Sequence, residues 1–142
     1  MLIFFILSDI YFSDIILNSL RFNLCKNSFC NLVYVKNTGA AFSLFENFET
    51  FLIAFSILAI IFLMVYTIKN LAKISCISVF FITILLAGIS CNLYERLAFG
   101  YVRDFFSLSF INFPIFNISD VFINIGVIAL IIIITKNKYL KK

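Results

Sequence analysis

Three stretches of the chain are apolar almost without interruption, at lengths that suit a membrane better than a soluble core. Thr50–Ile68 (TFLIAFSILAIIFLMVYTI) carries no charge, and at about 1.5 Å per residue it rises roughly 27 Å, close to a hydrocarbon core. Ile74–Tyr94 is a second uncharged stretch, long enough to span with some tilt. Val121–Thr135 is very apolar but short, and it spans comfortably once Phe113–Asp120 enters the membrane boundary. Met1–Leu20 is interrupted by Asp9 and Asp14. It lacks a basic n-region and an Ala-x-Ala site, so it reads as a helix and not as a cleaved signal peptide. The pattern predicts a mainly α membrane protein, a four-transmembrane-helix bundle with spans at roughly 1–20, 50–68, 74–94 and 118–135. No linker or repeat divides residues 1–142, so one integral-membrane domain is expected.

Besides the short hinge at 69–73, two longer connections separate these spans. Arg21–Glu49 contains Asn31–Lys36 (NLVYVK), a β-branched and aromatic run that reads as a strand ahead of a turn at Asn37-Thr38-Gly39. Gly39 is expected to supply a positive φ there. Glu95–Phe116 is the other connection, punctuated by Gly100 and the only proline, Pro114. An even number of spans puts both termini on one side. Lys69 and Lys73, with Lys136, Lys138, Lys141 and Lys142 in the tail, place that side in the cytoplasm. Arg21, Lys26, Lys36, Arg96 and Arg103 fall on the opposite side, so density within short flanks decides the orientation. The small β element is then extracytoplasmic.

Composition narrows the chemistry. Apolar residues make up 63% and charged residues 13%, against about 45–50% and about 25% in soluble domains. The net charge of +4 sits in membrane flanks and not on a basic face interleaved with aromatics, so membrane lipids and not nucleic acid are the expected partners. The absence of histidine excludes Ser-His-Asp and Cys-His catalysis and His-ligated zinc. Cys25, Cys30, Cys76 and Cys91 form no metal pattern, and neither metal nor cofactor is expected. Cys76 and Cys91 lie in apolar runs as small buried residues, whereas a Cys25–Cys30 disulfide requires an oxidising space. The abundant Phe residues suit lipid-facing filler, and an acyl chain could use the same surface.

The seven acids are Asp9, Asp14, Glu46, Glu49, Glu95, Asp104 and Asp120. An acid at the edge of an apolar span is expensive and is a functional candidate by default. Asp104 and Asp120 fall at similar depth at the outer ends of the last two spans and could face each other. Two carboxylates in a low-dielectric site share a proton. One can then deprotonate a water while the other donates to the carbonyl under attack, which is aspartyl-protease chemistry. Each residue also has a plainer reading. Asp120 could cap the last helix, and Asp104 could pair with Arg96 or Arg103 in a wet loop. Asn37-Thr38-Gly39 could be a turn and nothing more.

Taken together, these stretches resemble the lipoprotein signal peptidase (signal peptidase II) family. Asn37-Thr38-Gly39-Ala40-Ala41-Phe42-Ser43 is similar to the family's NxGAAF segment. Asn92, Arg96, Gly100, Val102, Asp104 and Phe105 match N-x-x-D-R-x-x-x-G-x-V-x-D-F, and Phe116–Asp120 with Ile123 and Gly126 match F-N-x-[AS]-D-x-x-I-x-x-G. The resemblance implies a bacterial inner-membrane aspartyl endopeptidase that cuts diacylglyceryl-modified prolipoproteins before the lipid-bearing cysteine. It implies Asp104 and Asp120 as the catalytic pair, with Asn37, Asn92, Arg96, Asn117 and Asp9 binding substrate or supporting the site. The lipid-modified signal peptide is the implied substrate, the active site faces the outer leaflet, and a monomer is expected.

Three positions depart from the family pattern. Glu95 stands where Asp precedes the arginine, Cys91 replaces a glycine, and Ser13 stands where a lysine follows Asp9. Asp14 is the alternative first-helix aspartate, with Asn18 four residues on. Two other functions use the same residues. One is a small proton-coupled transporter or channel with the carboxylates as a relay, and the other is a non-catalytic family member that binds precursors.

Overall fold

The computed structural model describes residues 1–21, 30–39 and 48–140. Their order is α1 (Leu2–Arg21), β1 (Cys30–Asn37), α2 (Glu49–Asn70), α3 (Cys76–Phe99), β2 (Val102–Leu108) and α4 (Ile118–Leu140). Among the described residues, three helices are long and apolar enough to cross a membrane, over Glu49–Asn70, Cys76–Phe99 and Ile118–Asn137. Hydrocarbon offers backbone amides no water, so the intrahelical ladder must satisfy them. A helix stands at each of the four expected spans, but α1, whose apolar run is broken by acids, is not among the three that are apolar enough to cross. Cys25 and Ala40–Ser43 lie outside the described residues.

α3 is the central element, packed against α1, α2 and α4. Half of its most apolar window is buried, and none of the corresponding window in α2 is. Leu58, Phe62 and Ile68 of α2 point outward, as do Ile128, Ile131 and Ile134 of α4. A surface this apolar is stable only against lipid. The α3–α4 seam is tight because two glycines meet it. A Cβ on Gly88 would stand 2.5 Å from the Ser119 carbonyl oxygen, and one on Gly126 would stand 2.7 Å from Leu85 Cβ.

α3 continues past Tyr94 and carries Glu95 and Arg96 into its last turns. It ends at Gly100, whose φ of 80° is the left-handed value that an L side chain resists. The Gly100 N–H closes the helix on the Arg96 carbonyl at 2.9 Å. The positive φ therefore falls at Gly100 and not at Gly39, where the turn sequence had suggested it.

The strand read at Asn31–Lys36 lies within β1. Its antiparallel partner β2 arises in a stretch expected only to connect spans. Pairing runs from Cys30↔Leu108 to Asn37↔Val102, with a one-residue register shift between Leu32 and Val35 that sets Val33 and Tyr34 opposite Phe105. Such a bulge increases twist and re-aims neighbouring side chains. Beyond β2 the chain doubles back. The Phe116 N–H bonds the Phe106 carbonyl at 3.1 Å, and Phe116 accepts from the Phe106 N–H at 2.8 Å. That return lays Asn117 beside β2 at the threshold of α4.

Candidate active site

The start of α4 is built by a reciprocal cap. Asn117 Oδ1 accepts the Asp120 N–H at 2.8 Å, and Asp120 Oδ2 accepts the Asn117 N–H at 3.2 Å. This is a capping box with a carboxamide at the N-cap and the acid three residues on. Asp120 is thus part of the cap without being the N-cap residue that its position first suggested. Its other oxygen, Oδ1, accepts from Asn92 Nδ2 of α3 at 2.9 Å.

Asp104 sits on β2 and is 2% exposed. Cross-strand geometry puts Asn37, paired with Val102, on the same face as the next-but-one residue. Asn37 Nδ2 reaches Asp104 Oδ2 at 2.9 Å, and Asn117 Nδ2 reaches Oδ1 at 3.1 Å. Asn117 Nδ2 also bonds Asn92 Oδ1 at 3.1 Å. Three carboxamides therefore join the two carboxylates into one network, and Asn117 belongs to both halves. Burial, then the neighbouring charge of Asp120, push the Asp104 carboxyl up to about 7, against the bond from Asn37 that favours its ionised form.

The wet-loop ion pair considered for Asp104 does not form among the described residues. Arg96 sends Nη2 to the Gly39 carbonyl at 2.7 Å and Nη1 to the Asn92 carbonyl at 3.4 Å. It thereby ties the Asn37-Thr38-Gly39 turn to α3, and Asn37 Oδ1 closes that turn on the Gly39 N–H at 2.9 Å. The Arg96 Nε is buried with no hydrogen-bond partner among the described residues. Arg103 turns instead to Glu95.

Asp9 stands apart from this network. It is buried and faces the Ser119 hydroxyl and the Cys91 thiol, each one residue before a member of the cluster, and its Oδ1 has no partner among the described residues. Asp14 is 63% exposed and lies 3.8 Å from Arg103. Of the two first-helix acids, Asp9 is therefore the one that packs behind the site. Cys91, in place of a glycine, is itself buried against Asp9.

Glu95 and Arg103 were not singled out by sequence as a pair. A signal was present, since opposite charges eight residues apart flank the helix-ending Gly100. Among the described residues no cluster of three or more His, Cys, Asp or Glu side chains is arranged to hold a metal ion.

The fold and this cluster define a class: a multi-pass membrane protein with a buried and a half-buried carboxylate, linked by amides, where its strands meet its helices. The family model described as Signal peptidase (SPase) II matches residues 1–136. A lipoprotein signal peptidase of Streptococcus thermophilus is 37% identical over 108 residues, covering 76% of this chain and 70% of that protein. One from Clostridium tetani is 35% identical over 111 residues, covering 76% and 70%. A solved bacterial membrane enzyme, obtained by the in meso method at 2.3 Å resolution, superposes with a TM-score of 0.85 at 28% identity, over 99% of this chain and 88% of that one. The chain belongs to the signal peptidase II family, and it is a protease.

Proposed function

We propose that the protein is an aspartic endopeptidase that removes the signal peptides of lipid-modified prolipoproteins, cutting before the lipid-bearing cysteine, with Asp104 and Asp120 as its catalytic pair. The observation that carries this reading is the shared amide. Asn117 contacts Asp104 through its side chain and Asp120 through its backbone, so the two carboxyls from separate elements are held in fixed relation.

The chemistry follows from one proton shared by the pair. Asp104, neutral up to about pH 7, carries that proton, and Asp120 is the ionised partner. Asp120 takes a proton from water as its oxygen attacks the scissile carbonyl carbon. Asp104 donates to the carbonyl oxygen, giving a tetrahedral diol. On collapse the C–N bond breaks, Asp120 passes its proton to the departing amine, and Asp104 recovers its own. Asn37, Asn92 and Asn117 orient the pair. The unmatched Arg96 Nε supplies a donor for a substrate carbonyl, and Asp9 supports the pair from behind. An extended, unwound substrate needs protein around its backbone at membrane depth, which the Asn37 turn and the two strands provide.

The reading places the protein in the bacterial inner membrane as a single four-span domain, both termini cytoplasmic and the site toward the outer leaflet. Its test is purified protein in detergent, a diacylated precursor peptide and product masses. Wild type should release the peptide ending before the lipid-modified cysteine. Asp104→Asn and Asp120→Asn should each abolish release while expressing and folding normally. Normal cleavage by either variant would defeat the assignment.

A further inference from the structure

We infer that Glu95 is a positioning residue for Asp104, acting through the neighbouring residue Arg103. The inference rests on the catalytic pair proposed above. Glu95 lies on the last turns of α3, and Arg103 lies on β2 immediately before Asp104. Across the Gly100 turn, Glu95 Oε2 accepts the Arg103 backbone N–H at 2.7 Å, and Oε1 accepts from Arg103 Nε at 2.8 Å and Nη2 at 2.6 Å. One carboxylate therefore fixes the main chain and the side chain of the same residue. Both partners are nearly buried, with side chains 6% and 10% exposed. The Arg103 guanidinium lies 4.7 Å over the centre of the Phe99 ring, so the end of α3 grips it from a second side.

Geometry says why this matters one residue later. β2 has one strand neighbour, β1, and that pairing contains a register shift that ends at the Val35↔Asp104 pair. Phe116 holds the other edge of β2 only from Phe105 onward, so the segment before Asp104 depends on a bulged ladder and on its anchor to α3. Asp104 must nonetheless meet Asn117, which comes from the return of the chain to α4. The Glu95 clamp anchors the start of β2 to α3, the same helix that supplies Asn92. A glutamate reaches both donors at once, and its extra methylene relative to aspartate fits the presence of an arginine beside Asp104. The side chain makes no hydrogen bond to either carboxylate of the pair, although its charge is felt by Asp104; both doubles below remove that charge, so the difference between them reports main-chain placement.

Two double substitutions test this. Glu95→Met with Arg103→Met replaces the ion pair with apolar volume, which buried pairs commonly tolerate, and both doubles lose the longer contact of Arg103 with exposed Asp14 alike. It also deletes the acceptor for the residue-103 N–H. Glu95→Gln with Arg103→Met keeps that acceptor. The first should fold at wild-type yield and lose about 30-fold in kcat with KM within about 2-fold, because misplacing a reacting group by a fraction of an ångström acts on the chemical step. The second should remain within about 5-fold of wild type. Equal kcat in the two doubles, a change confined to KM, or failure of only the first to fold would overturn the inference. Asp104→Asn, assayed alongside, separates the outcomes. Its retained cleavage would defeat the catalytic pair, whereas its inactivity beside two fully active doubles would defeat only the role of Glu95.

Discussion

Asn117 and Asp120 bond each other twice at the start of α4, backbone to side chain in both directions, at 2.8 and 3.2 Å. The helix cap and the candidate active site are consequently one object. Whatever orients Asn117 to end the loop also aims its Nδ2 at Asp104 and Asn92. The choice between a capping and a chemical role for Asp120 dissolves in this arrangement, since its two oxygens serve different partners.

That union can be separated by substitution. Asn117→Ser keeps an N-cap acceptor of similar quality but withdraws the donor, and Asn117→Ala removes both. The Ala variant should be about 1 kcal/mol less stable than the Ser variant, the usual worth of a cap. Both should lose about 100-fold in peptide release. Thermal unfolding in detergent and the cleavage assay give the two readouts. Wild-type turnover by Asn117→Ser would detach the amide from the chemistry.

The raised Asp104 carboxyl fixes the direction of pH effects. Its native value of about 7 lies above the ordinary 3.8, so between those values the native state holds a proton that the unfolded chain has lost. Its contribution to stability is complete below the unfolded value and disappears as pH rises through the folded one. Melting temperature should therefore decline from pH 4 toward pH 8, and Asp104→Asn should flatten that decline. Activity should fall above about pH 7 as the donated proton is lost. Asn37→Ala removes a bond that favours the ionised form and should move this alkaline limb upward while lowering the rate. A limb that stays put in Asn37→Ala would contradict the assignment of that limb to Asp104.

The parts of the site written as local pattern were legible in the sequence. Asp120 ahead of an apolar helix signalled a cap, although the N-cap itself falls three residues earlier at Asn117, and Asn92 and Arg96 stand one helical turn apart. β2 was not legible. Its run Val102-Arg103-Asp104-Phe105 lacks apolar alternation, because its charged members are satisfied by partners on other elements: Arg103 by Glu95, Asp104 by Asn37 and Asn117. A sequence reader sees two charges in a connection and makes it wet. Tertiary hydrogen bonds make it dry. Asp9 posed the reverse problem: the surrounding pattern favours it over Asp14, but only the packing of α1 against Cys91 and Ser119 shows what it faces.

Asp9 carries an oxygen that finds no donor among the described residues. A buried carboxylate oxygen without a partner costs stability, and a carboxamide of the same shape is cheaper to bury than a charge. Asp9→Asn should leave the melting temperature unchanged or higher, with cleavage within about 5-fold of wild type. Asp9→Leu withdraws all contact with Ser119 and Cys91 and should reduce cleavage further. A sharp loss of stability in Asp9→Asn would show that the acid itself is bonded in the working protein.

The last prediction concerns the seam that brings α3 to α4. Gly88 and Gly126 both face a neighbour closer than any real Cβ could approach, at 2.5 and 2.7 Å. Each Gly→Ala change must push the helices apart locally, at a cost of about 1–3 kcal/mol for an overpacked contact. The two differ in what they displace. At Gly88 the obstructing atom is the carbonyl oxygen of Ser119, the residue before Asp120, so the shift passes directly into the capping box and the bond from Asn92. At Gly126 the obstruction is Leu85, whose displacement reaches no polar member of the cluster directly. Gly88→Ala and Gly126→Ala should thus destabilise comparably by thermal unfolding, yet Gly88→Ala should lose about 10-fold more cleavage activity. Equal activity losses at equal stability would mean that the site tolerates movement of the α4 start, and the rigid coupling between helix seam and carboxylate pair would be wrong.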